Sequence, residues 1–483
     1  MKCNKIINFT AKYVLLFCVF LFVQCATAQN SSWYFPWKNN ISNLESASDT
    51  EDIPLLIDGY NYRILKIRNF SGNVIQDFEY TCDIATVEIF QLPSMKDHSG
   101  KDILDLILPV DNYALKDNDV DKHFLIKFKG LKTGNEVISL SIRTNNKTYR
   151  FSKKLKVAGL KYQPPVSLNV FAYFDYNFLV KDLKSQVISD LVAHNVDVLV
   201  IPPAVIPDLS VANIDVSALS NYLKNTEHKF RYYILYLNFN DKEIDFNNPI
   251  VNKSLSTWYS NVMKWFREKN IPVNQVFIFP YDEPKQEQIN HLIKMQAHFR
   301  SFGIKNPFFV TVDNVPAAKV VLGQIEYVQM QPQIMKQMGS INTSSHLWSY
   351  QLIYGSRDRL ATEYRDISIT AFRNNADGIG VWSYADIDRA VDVLGKKDFD
   401  TGRGTWDIYY TAPSAEYALV YRKNDTLYSS LRWEALSYGM EDYFWLVQYQ
   451  NKFGRRKTNK LLENIVTFSE QEIEALKLEI LAK

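Results

Sequence analysis

Two adjacent carboxylates, Asp282 and Glu283, close an apolar run in the segment FIFPYDEP, residues 277–284, with a proline directly behind them. Cleavage of a glycosidic bond needs one carboxylic acid to protonate the leaving oxygen and a second group to stabilise the positive charge developing at the sugar carbon. Neighbouring acids can supply both. Two carboxylates this close cannot ionise independently, so one apparent pKa is expected to rise, which suits a general acid working near neutral pH. A plainer reading competes: Asp282 or Glu283 caps a helix beginning near Pro284, since proline favours a first helical turn.

The elements that must hold these acids follow a rhythm. From residue 167 onward the strand-like runs are SLNVFAYFDY, VDVLVIPP, FRYYILYLNF, QVFIFPYDEP, PFFVTVDN, EYVQMQPQ, SSHLWSYQLIYG and DGIGVWSYAD. Helical stretches such as KDLKSQVISDLVAHN, LSTWYSNVMKWFREKN, KQEQINHLIKMQAHFRSFG and LATEYRDISITAFRNNA fall between them, and SSLRWEALSYGMEDYFWLVQYQN follows the last. This alternation predicts an α/β fold, a (β/α)8 TIM barrel, rather than an open doubly wound sheet. Barrels open their sites at the C-terminal ends of the strands. That rule selects Asp175 after the first strand, Asp282 and Glu283 after the fourth, Asp313 after the fifth and Asp386 after the eighth. It also selects Tyr173, Tyr281, Trp348, Tyr350, Trp382 and Tyr384 as aromatics that can wall a bound ligand. Core packing for the aromatics and loop capping for the aspartates are the competing readings.

Upstream, between residues 53 and 157, segments such as YRILKIRNF, ATVEIFQL, HFLIKFKG and VISLSIRT alternate apolar and polar positions and are separated by turn signals. A period of two with no intervening helix predicts a β-sandwich. KYQPP, residues 161–165, reads as a linker, because paired prolines resist both helix and sheet. Near the C-terminus SEQEIEALKLEILAK opens with a capping box, Ser469 and Glu472, and is expected to be a helix.

The first residues combine early lysines, an apolar run over 13–23 and the small residues Ala26, Thr27 and Ala28. This pattern predicts a signal peptide cleaved after Ala28, and hence an exported chain, periplasmic or extracellular; a lipid anchor on Cys25 is disfavoured by the bulky Gln24 before it. The expected organisation is therefore a signal peptide over 1–28, a sandwich domain over 29–160 and a barrel with C-terminal helices over 161–483. Of the four cysteines only Cys82 lies beyond that peptide, so stability must come from core burial. No later run is long and apolar enough to span a bilayer. A formal net charge of +2, from 55 basic and 53 acidic residues without a basic stripe, argues against nucleic acid as a partner. The 7 histidines show no paired metal-ligand spacing. His291 and His298 share a helix face, read as solvated. GIG at residues 378–380 lacks the third glycine of a phosphate cradle, and no nucleophile elbow or P-loop is present.

Four pieces of the chain in order resemble glycoside hydrolase family 123 and relatives sharing its barrel: YDEP at the fourth strand, LWSY at 347–350, DGIGVWSYAD at 377–386 and YSSLRWEALSYGMEDYFWL at 428–446. They cover the second half of the barrel. The resemblance implies a retaining N-acetyl-β-galactosaminidase with substrate-assisted catalysis and no cofactor. Carried onto this chain it makes Glu283 the acid/base, while Asp282 orients and polarises the 2-acetamido group whose oxygen attacks the anomeric carbon. The expected partner is a glycan with β-linked N-acetylhexosamine. Two alternatives stay open: a barrel glycosidase of other specificity pairing Glu283 with Asp175 or Asp386, and a non-catalytic glycan-binding protein. Arg432, Glu434, Glu441 and Asp442 in the last piece read as structural ion pairs or surface.

Overall fold

The computed structural model describes residues 31–385 and 417–481, apart from 39, 49, 71–72, 98–99, 111–120, 173–181, 208–214, 227, 240–244, 246–247, 340, 354–357, 424 and 466–468. The chain divides into two compact units, one made of Met1–Lys96, Gly100–Gln163 and Glu463–Lys483, the other of Asp97–Ser99 and Pro164–Leu462. The main boundary thus falls inside KYQPP. The last segment, expected to belong with the barrel, joins the first unit instead.

The second unit is built from eight parallel strands, β1 (Ser167–Val170), β2 (Val198–Ile201), β3 (Tyr232–Tyr236), β4 (Val276–Phe279), β5 (Phe309–Val312), β6 (Tyr327–Met330), β7 (His346–Leu352) and β8 (Gly378–Trp382), in the order β4-β3-β2-β1-β8-β7-β6-β5. Every run read as a strand contains one. Between the two end strands the backbone pairing is a parallel bridge between Ile278 and Phe308, with Ile278 N donating to Pro307 O at 2.9 Å, so the sheet is a nearly closed barrel. All four residues are buried in each of β1, β2, β4 and β5, as expected where both faces of a parallel sheet are covered. One core cluster gathers Val198, Val200, Ile234, Phe277, Phe279, Phe309, Trp348 and Tyr350, residues two apart along their strands. Such alternation is the mark of one face of the wall. Two glycines make room in it. A Cβ on Gly378 would lie 2.5 Å from the indole of Trp348, and one on Gly380 would lie 2.2 Å from Oε1 of Gln329.

Each strand is followed by a helix: α1 (Lys184–Ala193), α2 (Ser217–Leu223), α3 (Pro249–Glu268), α4 (Gln286–Ser301), α5 (Val315–Val321), α6 (Pro332–Met338), α7 (Ala361–Arg373) and α8 (Leu431–Phe453). A short antiparallel hairpin, Val420–Lys423 with Thr426–Ser429, precedes α8. Asn248 starts α3 by accepting from Ile250 N at 2.9 Å, with Pro249 in the first turn. Ser430 starts α8 by accepting from Trp433 N at 3.1 Å while donating to Leu419 O at 2.6 Å. Helix α8 is buried nearly all round from Leu431 to Tyr443. It approaches α7 closely: a Cβ on Gly439 would sit 2.5 Å from the carbonyl oxygen of Arg365. Arg365 in turn pairs with Asp442 in the same buried contact and lies over the Tyr438 ring at 4.9 Å. Arg432, Glu434, Glu441 and Asp442 are thus all interior, a more expensive placement than a surface and one that requires partners.

In the first unit nine strands form one hydrogen-bonded network. Tyr60–Ile67, Lys122–Gly130 and Ala85–Gln91 pair antiparallel in one group, while Thr148–Lys161 pairs with Gly134–Thr144 and, in parallel, with Asp52–Ile57 in another. The groups touch through a single pairing of Ile57 with Gly130. Both feed one core, with Leu65, Ile67, Phe124, Ile126 and Phe128 from the first and Ile53, Leu55, Ile138, Leu140 and Val157 from the second. The helices α9 (Arg455–Asn464) and α10 (Glu470–Leu481) end the chain. The Ser469–Glu472 capping box is present, with Ser469 N donating to Glu472 at 2.7 Å and Glu472 N to Ser469 Oγ at 3.3 Å. Helix α10 is held within this unit by a buried ion pair between Glu474 and Arg63 and by a 2.9 Å bond from Asn61. Among the described residues no helix is long and apolar enough to cross a membrane.

Candidate active site

Strand β4 ends at Phe279, and the turn that follows carries Tyr281, Asp282 and Glu283. Helix α4 begins only at Gln286, with Lys285 in the cap position and Lys285 N donating to Gln288 Oε1 at 2.7 Å, so neither acid occupies the cap. Glu283 has φ +48°, a left-handed conformation that a residue with a side chain adopts only when its surroundings enforce it. The enforcing contact comes from β5, where Thr311 Oγ1 accepts from Glu283 N at 2.9 Å. The same hydroxyl donates to Asp282 Oδ1. One buried threonine therefore ties both acids to the neighbouring strand. Asp313, at the end of β5, is exposed and accepts from Asn314 Nδ2 at 2.7 Å, while Asn314 Oδ1 caps α5 by accepting from Ala317 N at 2.8 Å.

These surroundings push both carboxyls upward. For Asp282 burial is the main cause, partly offset by the Thr311 hydrogen bond and reinforced by the charge of Asp313. Glu283 is raised to about 7, first by burial, then by the charges of Asp282 and Asp313. Its side chain still reaches solvent. A half-buried acid pinned as a hydrogen-bond acceptor, beside a more accessible acid that keeps its proton to near neutrality, is an arrangement suited to general acid catalysis.

The aromatic candidates separate into different environments. Trp382 is half-buried and lies 5.3 Å from the Phe171 ring, which also contacts Tyr350 at 6.1 Å. Tyr350 and Trp348 belong to the barrel core, Trp348 edge-on to Phe309 at 5.5 Å. Tyr281 is buried, its hydroxyl bonded to Nδ1 of His291 on α4; His298 bonds Asn252 on α3 at 2.7 Å. Trp348, Tyr281 and Tyr384, each at most 1% exposed, offer no open ring face to a sugar. The reason for Tyr384 is that β8 ends at Trp382, so the alternation that would have set both residues on one face stops between them. Tyr173, Asp175 and Asp386 lie outside the described residues.

Tyr384 instead enters a buried charge cluster that the sequence did not reveal. Its hydroxyl donates to Asp190 Oδ2 at 2.5 Å, and Trp433 Nε1 donates to the same oxygen at 2.9 Å. His194, one turn along α1 from Asp190, lies 3.2 Å from Asp190 Oδ1 and 3.2 Å from Glu434 Oε1, and stacks on Trp433 at 4.4 Å. Burial pulls the imidazole toward neutrality, but Asp190 and Glu434 outweigh it and raise His194 to about 10. Asp190 is lowered: burial opposes its charge, and His194, Tyr384 and Trp433 together overcome that. Among the described residues no group of three or more histidine, cysteine or acidic side chains is arranged to hold a metal.

No protein-family model matches the chain, and no curated protein matches it by sequence. Among solved structures, a family 123 glycoside hydrolase from Clostridium perfringens, described for glycolipid glycan hydrolysis, superposes with a TM-score of 0.63 at 11% identity, covering 93% of this chain and 96% of its own. The chain has a family 123-like fold. A family 2 β-galacturonidase from Eisenbergiella tayi overlaps with a TM-score of 0.36 at 10% identity, over 80% of this chain and 70% of its own, too loosely to inform the site. Within the family 123-like fold, Thr311 is the residue in contact with both acids that sequence reading passed over. The signal was present in PFFVTVDN, where alternation sets Phe309, Thr311 and Asp313 on one face and Phe309 is core.

Proposed function

We propose that this chain is an exported glycoside hydrolase that removes β-linked N-acetylhexosamine, N-acetylgalactosamine foremost, from glycans, using a TIM barrel carried behind an N-terminal β-sandwich. The observation that carries the reading is the pair itself: Glu283 is raised to about 7 beside an Asp282 that accepts from Thr311. Glu283 delivers its proton to the leaving oxygen and later takes one from water. Asp282 receives the acetamido N–H, turning the acetamido oxygen toward the anomeric carbon and strengthening it as a nucleophile, so that no protein carboxylate attacks. Holding that oxygen in place is worth several kcal/mol of the barrier by proximity alone, roughly 7–11 in the most favourable systems. Trp382, half-buried beside Phe171, is the aromatic best suited to a sugar face.

Export rests on the signal-like first 28 residues. The mechanism rests on the acid pair and on the fold shared with a family 123 enzyme. A panel of aryl N-acetylhexosaminides, beside the same sugars with a 2-hydroxyl, tests it. Cleavage confined to acetamido sugars, inhibition by a thiazoline mimic of the cyclised intermediate and slowing of every acetamido substrate by Asp282→Asn are the expected results. Equal cleavage of 2-hydroxy sugars without thiazoline inhibition would remove substrate assistance and favour a second acid such as Asp175 or Asp386.

A further inference from the structure

A hydroxyl has one proton to give, and at Thr311 both of its hydrogen-bonding roles go to the acid pair. Oγ1 accepts from the backbone N–H of Glu283 at 2.9 Å and donates to Oδ1 of Asp282. Thr311 is 1% exposed and sits on β5, while both acids are on the turn after β4. No backbone ladder joins these strands, whose main-chain pairing is the Ile278–Phe308 bridge. Glu283 meanwhile holds a left-handed backbone at φ +48°. Without a partner for its N–H that conformation has little to keep it.

We propose that Thr311 is the positioning residue of the acid pair, one hydroxyl setting the backbone of Glu283 and the ionic state of Asp282 together. A donated hydrogen bond favours the charged carboxylate over the neutral acid. Asp282 is therefore the acid helped to ionise and Glu283 the one left to hold a proton, the protonation order a general acid needs. Among the described residues, Asp313 bears on both acids, and the charge of Asp282 bears on Glu283 as well. On the α4 side the titratable neighbours, Tyr281 and His291, are bonded to one another. Replacing the hydroxyl by a methyl removes the preference for ionising Asp282, so part of the population carries the proton on the wrong acid.

This inference rests on the glycosidase reading, and its test separates the two. Thr311→Val keeps the shape and deletes the hydroxyl; Thr311→Ser keeps the hydroxyl and deletes the methyl. On an unactivated acetamido glycoside, Thr311→Val is expected to lower kcat/KM by about ten- to a hundredfold, the usual effect of losing a hydrogen bond to a charged group. It should also move the acid limb of the pH profile to higher pH, and Thr311→Ser should restore both. A Thr311→Val profile with an unmoved acid limb, or a Thr311→Ser variant as impaired as the valine one, overturns the proposal in favour of packing alone. Should the valine variant not fold, Thr311→Ala carries the same expectation. If the wild type cleaves no glycoside, the functional reading fails. Carboxyl-carbon NMR of Asp282 in wild type and Thr311→Val then still decides the inference, which stands if the Asp282 titration moves to higher pH and falls if it does not.

Discussion

Replacing His194 by glutamine removes the cation that faces both Asp190 and Glu434, and its consequence can be worked from the geometry. His194 titrates at about 10 against an ordinary value of 6.5; at about 1.4 kcal/mol per pH unit that gap corresponds to about 5 kcal/mol of stabilisation while the imidazolium is intact. The ceiling agrees in size with the roughly 3–5 kcal/mol lost when one partner of a buried ion pair is deleted. A group whose pKa is raised by folding gives its full stabilisation below its unfolded value and loses it as pH climbs through the folded one. The wild type should therefore be most favoured by this cluster below about pH 6.5 and lose the benefit progressively toward about pH 10. Urea unfolding at intervals from pH 6 to pH 10 measures both quantities. His194→Gln should be less stable by about 3–5 kcal/mol at pH 6.5 and should show a much shallower decline toward alkaline pH. A variant within about 1 kcal/mol of wild type, or one retaining the wild-type slope, would mean that His194 is neutral in the fold and the argument from Asp190 and Glu434 is wrong.

In the proposed role Glu283 acts in its protonated form, and its carboxyl is raised to about 7, so kcat/KM should fall as pH rises through about 7, and Glu283→Ala should remove that limb while sparing activated aryl glycosides far more than poor leaving groups. Gly439→Ala forces a methyl to within 2.5 Å of the Arg365 carbonyl; a loss of about 1–3 kcal/mol in urea unfolding is expected, as for other overpacked cores, and a neutral result would show that α7 and α8 can part freely. The proposed export predicts Gln29 at the N-terminus of the mature chain by mass spectrometry, and a diacylglycerol on Cys25 would replace that cleavage with a lipid anchor.

Much of the barrel was legible because each strand is a short, largely apolar run that reports its burial directly, and because most of the helices between carry an amphipathic period. Where the reading fell short, the cause was shortness or distance. Helix α6, seven residues from Pro332 to Met338, is too brief for a period to show, and α9 has almost no apolar face, burying only Thr458 and Leu462. The attachment of α10 to the first unit depends on Arg63 and Glu474, 411 positions apart. The acid pair was visible as a local motif. Thr311 was not, since a strand hydroxyl acquires its role only from the register of the neighbouring strand. His194 likewise read as an unremarkable helix residue, for its partners Asp190 and Glu434 are 4 and 240 positions away.

The barrel wall is stitched unevenly. Its other neighbouring strands share backbone ladders or paired residues in register, but β4 and β5 meet at one bridge, and just beyond that seam the side chains of Asp282 and Thr311 join the two edges. Girth can change most cheaply there, because a small parting of β4 from β5 breaks no ladder. Such a parting would stretch the two bonds through Thr311 together with the one from Ile278 N to Pro307 O. The spacing of these two edges and the placement of the acids thus share the same few bonds.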